Sequence, residues 1–358
     1  MMRETQSPAV GEAVVTGKKH SPKLWRRVAA IMVVVLAAFA WSRTGILDLP
    51  SVPANLTLEA TGLSNLGQMK QLNDRIWSAQ PLDEPSERSP RLSEAAVLVQ
   101  RGIAAYRRGE TKEAIELMQQ GIRLDPNNLV FANAYRMIVF RLRRDLLASA
   151  RQTSTPTPRV PPELDRQPIV FFEDLDRLHG TRETKLHLAM SWVDEMLLFP
   201  ALEIKAPSSV QAVELLTRVI DKDNPAYVPA LFARGLNHLH RPARLVWPES
   251  AKTPPDIAAQ DIGRCVAIGR RFNVGSARLR ATLALSLGDS YVKAGRVGVA
   301  HSWWQIAQNL CHDDDLQAAI RRRYGWQNEE ILDRLEDELD RGRSELDRPM
   351  TDLALMWN

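Results

Sequence analysis

The 358-residue chain carries 47 Lys and Arg against 43 Asp and Glu, a net charge of +4, with 44% apolar residues, 25% charged residues and two cysteines. That composition excludes disorder throughout, and two cysteines cannot build a disulfide framework or, unaided, a structural zinc site. The excess charge lies wholly in residues 1–27, where six basic groups (Arg3, Lys18, Lys19, Lys23, Arg26, Arg27) stand against two acids (Glu4, Glu12). The remainder is neutral, so a nucleic-acid partner is not expected.

Next comes Val28 to Trp41, fourteen residues without a polar side chain. At 1.5 Å per residue the run covers about 21 Å of a hydrocarbon core of about 30 Å, which suits a signal-peptide h-region, and Ala38-Phe39-Ala40 offers a cleavage site. The long basic lead argues instead for an uncleaved signal-anchor over 28–44, with Leu24 and Trp25 extending the run and Arg26, Arg27 and Arg43 snorkelling. Trp25 and Trp41 then sit at the two interfaces. Anchor and cleaved signal both stay open, the anchor being preferred. The positive-inside bias places 1–27 in the cytoplasm and the bulk of the chain in the periplasm or an equivalent compartment. Arg26-Arg27 is only a weak match to a twin-arginine signal.

Residues 45–92, with five prolines, read as a stalk or linker holding a short helix near Leu63 to Trp77. From Ser93 the periodicity is helical, with a first unit over 93–150. A Pro-rich interruption over 151–180 follows, whose segment Gln152 to Pro168 has five prolines that cannot lie inside a helix. Helical pattern resumes over 181–325 around an inserted loop at 241–255, and 326–358 form a charged capping helix and tail. Few segments alternate with period two, so an all-α fold is expected.

SEAAVLVQRGIAAYRRGETKEAIELMQQGIRLDPNN (93–128) resembles the tetratricopeptide repeat (TPR), a helix-turn-helix unit of about 34 residues. With Ala95 as position 1, Gly102, Gly109, Ala114 and Asp125-Pro126 fall on its small, turn and closing positions, and Tyr106 lies one past the aromatic one. Residues 281–314 fit better, through Leu287, Gly288, Tyr291, Gly295, Ala300, Trp304 and Ala307. Weaker copies contain Leu186, Met190, Val193 and Leu197; then Ala212, Leu216 and Val219; then Leu231 and Gly235. The resemblance implies about four repeats stacked as an α-solenoid. After Asp315 to Arg323, a helix capped by Asn328 has an apolar seam of Ile331, Leu332, Leu335 and Leu339, suited to capping the solenoid or, less well, to a coiled coil. The tail TDLALMWN has either the chain's own surface or a partner to dock on.

No phosphate loop, HExxH, GxSxG or CxxCH motif occurs, so no catalytic residue, cofactor or metal site is assigned. His238 and His240 are two apart on a helix and point to different faces. Cys311-His312-Asp313-Asp314-Asp315 reads as a solvated repeat end. Cys265 and Cys311 have the choice of pairing or remaining buried thiols. Glu173, Asp174 and Asp176 form the polar face of a helix expected to bury Val170, Phe171, Leu175 and Leu178.

In the TPR family, positions 2, 5, 9 and 12 of each first helix line the inner face of the superhelix. Here these are Ala96, Val99, Ile103 and Tyr106; Pro229, Phe232, Leu236 and Leu239; Thr282, Leu285, Asp289 and Val292. The Lys and Asn that clamp a peptide carboxylate in chaperone-binding members are missing. The candidate partner-binding residues are therefore Val99, Ile103, Tyr106, Phe232, Leu236, Leu239, Leu285, Asp289 and Val292, lining an apolar groove. An amphipathic helix of a partner would suit it, or the chain's own insert, Val170-Phe171-Phe172 or tail. The expectation is a non-catalytic, membrane-anchored scaffold or assembly factor, attached through 28–41 and binding protein partners, themselves membrane-associated. By analogy with anchored members of the family, maturation of c-type cytochromes or another envelope complex is the alternative. An enzyme with an unrecognised site is the rival of another class.

Overall fold

The computed structural model describes residues 49–78, 93–152, 164–198, 202–241, 253–345 and 352–358. The basic stretch and the apolar run fall outside the described residues, as does most of the inserted loop. Among the described residues there is no strand, and no helix is long and apolar enough to cross a membrane.

A 3-10 turn at Glu59–Thr61 leads into α1 (Leu66–Ile76). Five helical hairpins follow among the described residues: α2 (Glu94–Arg107) with α3 (Thr111–Leu124), α4 (Leu129–Gln152) with α5 (Gln167–His179), α6 (Arg182–Leu198) with α7 (Leu202–Arg218), α8 (Val228–Leu239) with α9 (Pro254–Phe272), and α10 (Ala277–Lys293) with α11 (Val297–Leu310). After them come α12 (Asp314–Tyr324), α13 (Ile331–Glu345) and the single turn α14 (Ala354–Trp357). Each first helix touches the next, α2 on α4, α4 on α6, α6 on α8 and α8 on α10, so the five form one continuous inner face.

Local chemistry sets the boundaries. Ser93, Thr253, Ser276 and Asp313 each accept a hydrogen bond from the backbone N–H three residues on, capping α2, α9, α10 and α12. Gly295, at φ 74°, makes the left-handed turn between α10 and α11. Gly288 lets those two helices close up, since a Cβ there would stand 2.6 Å from the Trp304 indole. Trp303 and Trp304 are buried at 1% and 0% exposure and fill the last hairpin.

The described hairpins number one more than the repeat pattern suggests. The addition is α4 with α5. The Pro-rich segment therefore interrupts a hairpin between its two helices, just as the 241–255 insert does between α8 and α9. Within α5 the buried face overlaps the expected one by half: Phe171 and Leu175 are buried as expected and are joined by Ile169 and Phe172, while Val170 and Leu178 are 50% and 73% exposed. Phe171 and Phe172 pack edge-on against Tyr135 of α4, and Phe172 stacks on His187 of α6, so these rings join hairpins.

Residues 49–78 are not a stalk, because they pack onto the body. Arg271 of α9 donates to the carbonyls of Pro53 and Ala54, Pro50 lies against Gly263, and Asn224 donates to the Ala60 carbonyl. Gly62 packs under the Tyr227 ring, where a Cβ would meet the ring at 2.4 Å. α1 then lies on α2 and α4.

Candidate functional site

The inner face is the surface that the repeat pattern marks for partners. Eight of its nine candidate residues are buried: Val99, Ile103 and Phe232 at 0%, Leu239 at 1%, Asp289 and Val292 at 2%, Leu236 at 5% and Leu285 at 8% exposure. Tyr106 alone is partly exposed. Of the two occupants that the sequence leaves open, a partner or the chain itself, the described residues place parts of the chain itself on this face. α1 covers α2 and α4, α13 folds back across α6 and α10, and α14 wedges against α1 and α10. The apolar residues at groove positions are thus part of the core, some beneath these returning elements and some, as Val99 against Gly121, within their own hairpin.

α13 is held by both kinds of force. Its seam residues Ile331, Leu335 and Leu339 are buried, and its acids meet cations of the inner face. Lys293 of α10 pairs with Glu336 at 3.2 Å and donates to the carbonyls of Leu239 and Arg241 at 2.8 and 2.5 Å. Arg323 of α12 forms a fork with Asp289, Nε to Oδ1 at 2.7 Å and Nη2 to Oδ2 at 2.8 Å, and reaches Glu338 at 2.8 Å. Asp289 also accepts from the Trp304 indole at 2.9 Å. Burial opposes the Arg323 charge, yet Asp289 and Glu338 hold its guanidinium above its ordinary value. Glu338 is likewise desolvated, but Arg322 and Arg323 keep its carboxyl below its usual value. α13 therefore does not close the end of the stack as a simple cap; it is clamped over the inner face.

The hairpin absent from the sequence reading contributes the most distinctive group. Counting 34 residues on from Ala95 makes Leu129 position 1 of α4, Asn133 position 5 and Met137 position 9. Asn133, 3% exposed, donates from Nδ2 to Asp352 Oδ1 at 2.8 Å, and its Oδ1 accepts the backbone N–H of Leu353 at 3.0 Å. Those two bonds fix which end of the amide points where. Further along α4, Arg136 and Arg143 form buried forks with Asp194 and Glu195 of α6.

The histidines and cysteines take structural places. His187 and His238 are 1% and 3% exposed, and neither ring nitrogen of either has a hydrogen-bond partner among the described residues. Burial, reinforced by Arg136, pushes His187 well below its ordinary value; burial with Arg241 and Arg234 takes His238 down to about 3. Both are neutral at physiological pH. Cys265 and Cys311 are unpaired thiols, and burial with the nearby Asp261 pushes Cys265 well up. Asp313 caps α12 and faces Arg278 at 3.5 Å, while Asp176 accepts from the Thr184 hydroxyl at 2.9 Å. Among the described residues no group of three His, Cys, Asp or Glu is placed to hold a metal ion.

No curated protein matches the chain in sequence. Among solved structures, a thermophilic TPR protein of Thermus thermophilus is similar at 15% identity with a TM-score of 0.40, over 64% of this chain and 97% of that one. The model of the tetratricopeptide repeat matches residues 95–128, the unit built by α2 and α3, so that unit is similar to a tetratricopeptide repeat, within described residues that form helical hairpins without strands.

Proposed function

We propose that the chain is a non-catalytic interaction scaffold, tethered to a membrane by residues 28–41 and holding its helical body outside the cytoplasm, where it assists assembly of protein complexes. The observation that carries the scaffold reading is the continuous face of five first helices, which already grips three separate peptide elements, α1, α13 and the tail. Tetratricopeptide repeats work by such gripping, and the same face is suited to partner segments. The tether rests on the basic lead and the fourteen-residue apolar run, and it would raise the local concentration of the body near membrane-bound partners.

Because Phe232 and Leu285 are core residues, charged substitutions there would unfold the body and could not report on binding. A photo-crosslinking residue in place of Tyr106, the candidate position that solvent reaches, is the suitable probe. In the full chain within its membrane it is expected to yield a discrete protein adduct that the same probe at exposed Leu178 does not. No adduct, or the same adducts from both positions, counts against the scaffold. Carbonate extraction leaving the chain in the pellet, with the body open to protease only from the non-cytoplasmic side, is the outcome expected of the tether.

A further inference from the structure

The tail is the smallest element on the inner face, and it is fixed by a side chain that reads both an acid and the peptide backbone next to it. Asp352 accepts from Asn133 and also from the Ala354 N–H at 2.9 Å, so its carboxylate both receives the cradle and starts the turn that follows. Leu353, Ala354, Met356 and Trp357 are then buried at 0%, 5%, 2% and 4% exposure. Asn133 cannot be satisfied by apolar contact alone: its Nδ2 needs an acceptor and its Oδ1 a backbone N–H, in that order along a chain. Beside the turn lies a cavity of about 320 Å³, bounded by Asn73 and Asp74 of α1, Trp77 just after it, Met137 and Arg141 of α4, and Ala354. Ala354 borders that space, so a larger residue at its position has room beside it.

We propose that the Asn133 cradle is a peptide-recognition site of which residues 352–358 are the in-chain occupant, and that its partner is a protein segment beginning Asp-Leu and continuing as a short apolar turn with a residue larger than alanine third. The recognition differs from a carboxylate clamp, because the acid read is a side chain that starts a turn. The proposal rests on the scaffold reading and names the partner chemistry for one part of its face. Being part of the same chain, the tail competes intramolecularly, so it sets the threshold that a partner must exceed.

Two measurements on the full chain test it. In the first, hydrogen exchange of the amides from Leu353 to Asn358 is followed in wild type, Asn133→Ala, Asp352→Ala and the double variant. Each single change should speed exchange at least tenfold and the double variant by clearly less than the product of the two, because one of the two bonds that each change breaks is shared; fully multiplying effects would overturn the cradle. In the second, a fluorescein-labelled peptide of sequence TDLMLMWN, which is residues 351–358 with Ala354→Met, is titrated by anisotropy. It is expected to bind the loosened variant Asp352→Ala/Leu353→Ser at least tenfold more tightly than wild type, and to lose that gain when Asn133→Ala is added or when its own aspartate becomes alanine. Binding that ignores Asn133, in variants with unchanged helical circular dichroism, would overturn the proposal. A dimer forming as the tail is loosened would assign the cradle to a second copy and equally overturn the partner. Loss of this site with retained Tyr106 crosslinks would leave the scaffold standing, whereas loss of the crosslinks would remove the scaffold itself.

Discussion

Asp289 is the residue whose removal tests the filled inner face most directly, because one carboxylate fastens three elements. It is 2% exposed and accepts from the Trp304 indole at 2.9 Å and from two Arg323 nitrogens at 2.7 and 2.8 Å, joining α10 to α11 and α12. Asp289→Ala leaves the Arg323 guanidinium buried with Glu338 as its remaining carboxylate partner. Breaking a buried pair by deleting one member costs about 3–5 kcal/mol, and Glu338 keeps this case near the lower bound. The indole N–H left without an acceptor adds about 1–3 kcal/mol, for a total of about 4 kcal/mol. At roughly 2 °C per kcal/mol for a body of this size, the melting temperature should fall by about 8 °C. Urea unfolding followed by circular dichroism at 222 nm gives the free energy directly. Asp289→Leu/Arg323→Met removes both charges and should recover about half of the loss. A cost below about 1 kcal/mol for the single change, or a double variant as unstable as the two single changes summed, would refute the pairing as the fastening of α12.

Other outcomes follow from the same geometry. Gly288→Ala should destabilise by about 1–3 kcal/mol, since the new Cβ meets the Asp289-fixed indole at 2.6 Å, whereas Gly298→Ala, with open space around it, should be neutral or stabilising; equal effects in urea melts would sink the close-approach argument. Between about pH 6.5 and 3 the unfolded chain binds a proton at His238 that the folded chain refuses, so stability falls as pH falls, by about 1.4 kcal/mol per pH unit for this group. His238→Leu should lessen the slope of stability against pH between pH 6 and 4.5, leaving the share that buried His187 contributes with the same sign, and an unchanged slope would remove His238 as a cause. Ellman's reagent should titrate Cys311 in the native chain and reach Cys265 only in denaturant, and a single fast phase of two thiols would contradict the burial of Cys265.

The repeats that sequence reveals are those in which geometry forces a residue type. Gly102, Gly235 and Gly288 share one repeat position because the second helix of each hairpin comes within reach of a Cβ, at 2.4, 2.8 and 2.6 Å. The same position of α4 holds Arg136, wholly buried, and that departure hides the repeat. What makes Arg136 tolerable is Asp194, 58 residues away, and such a compensation has no local signature. The groove residues were found by position, but their exposure could not be. A leucine lining an open cleft and a leucine beneath a returning helix satisfy the same pattern, and the difference is made by α13 and α14, far along the chain. Likewise Asn133 and Asp352 are 219 residues apart, so the cradle becomes visible only when the tail is seen on it. Only half of the α5 face is legible, Phe171 and Leu175, for a local reason: Val170 is as apolar as Ile169, and nothing in the periodicity decides between them.

The elements covering the inner face should differ in how readily they leave it. α13 is a helix of fifteen residues with three buried seam residues and charged contacts to Lys293, Arg322 and Arg323. The tail has Leu353, Met356 and Trp357 as its large buried groups, worth about 1.5–3 kcal/mol each, with roughly 2 kcal/mol more from Asn133 and Ala354. Ordering the seven residues Asp352 to Asn358 costs about 1–1.5 kcal/mol apiece, so gain and cost both fall near 7–10 kcal/mol. The tail is thus docked with little surplus, while α10 beneath it opens only with the whole body. Native-state hydrogen exchange in low urea should therefore show the amides of 353–358 exchanging by local opening, insensitive to urea, several kcal/mol below those of α10. If the tail amides instead merge with those of α10 into one urea-dependent unfolding, the tail is a fixed part of the core and no partner can take its place.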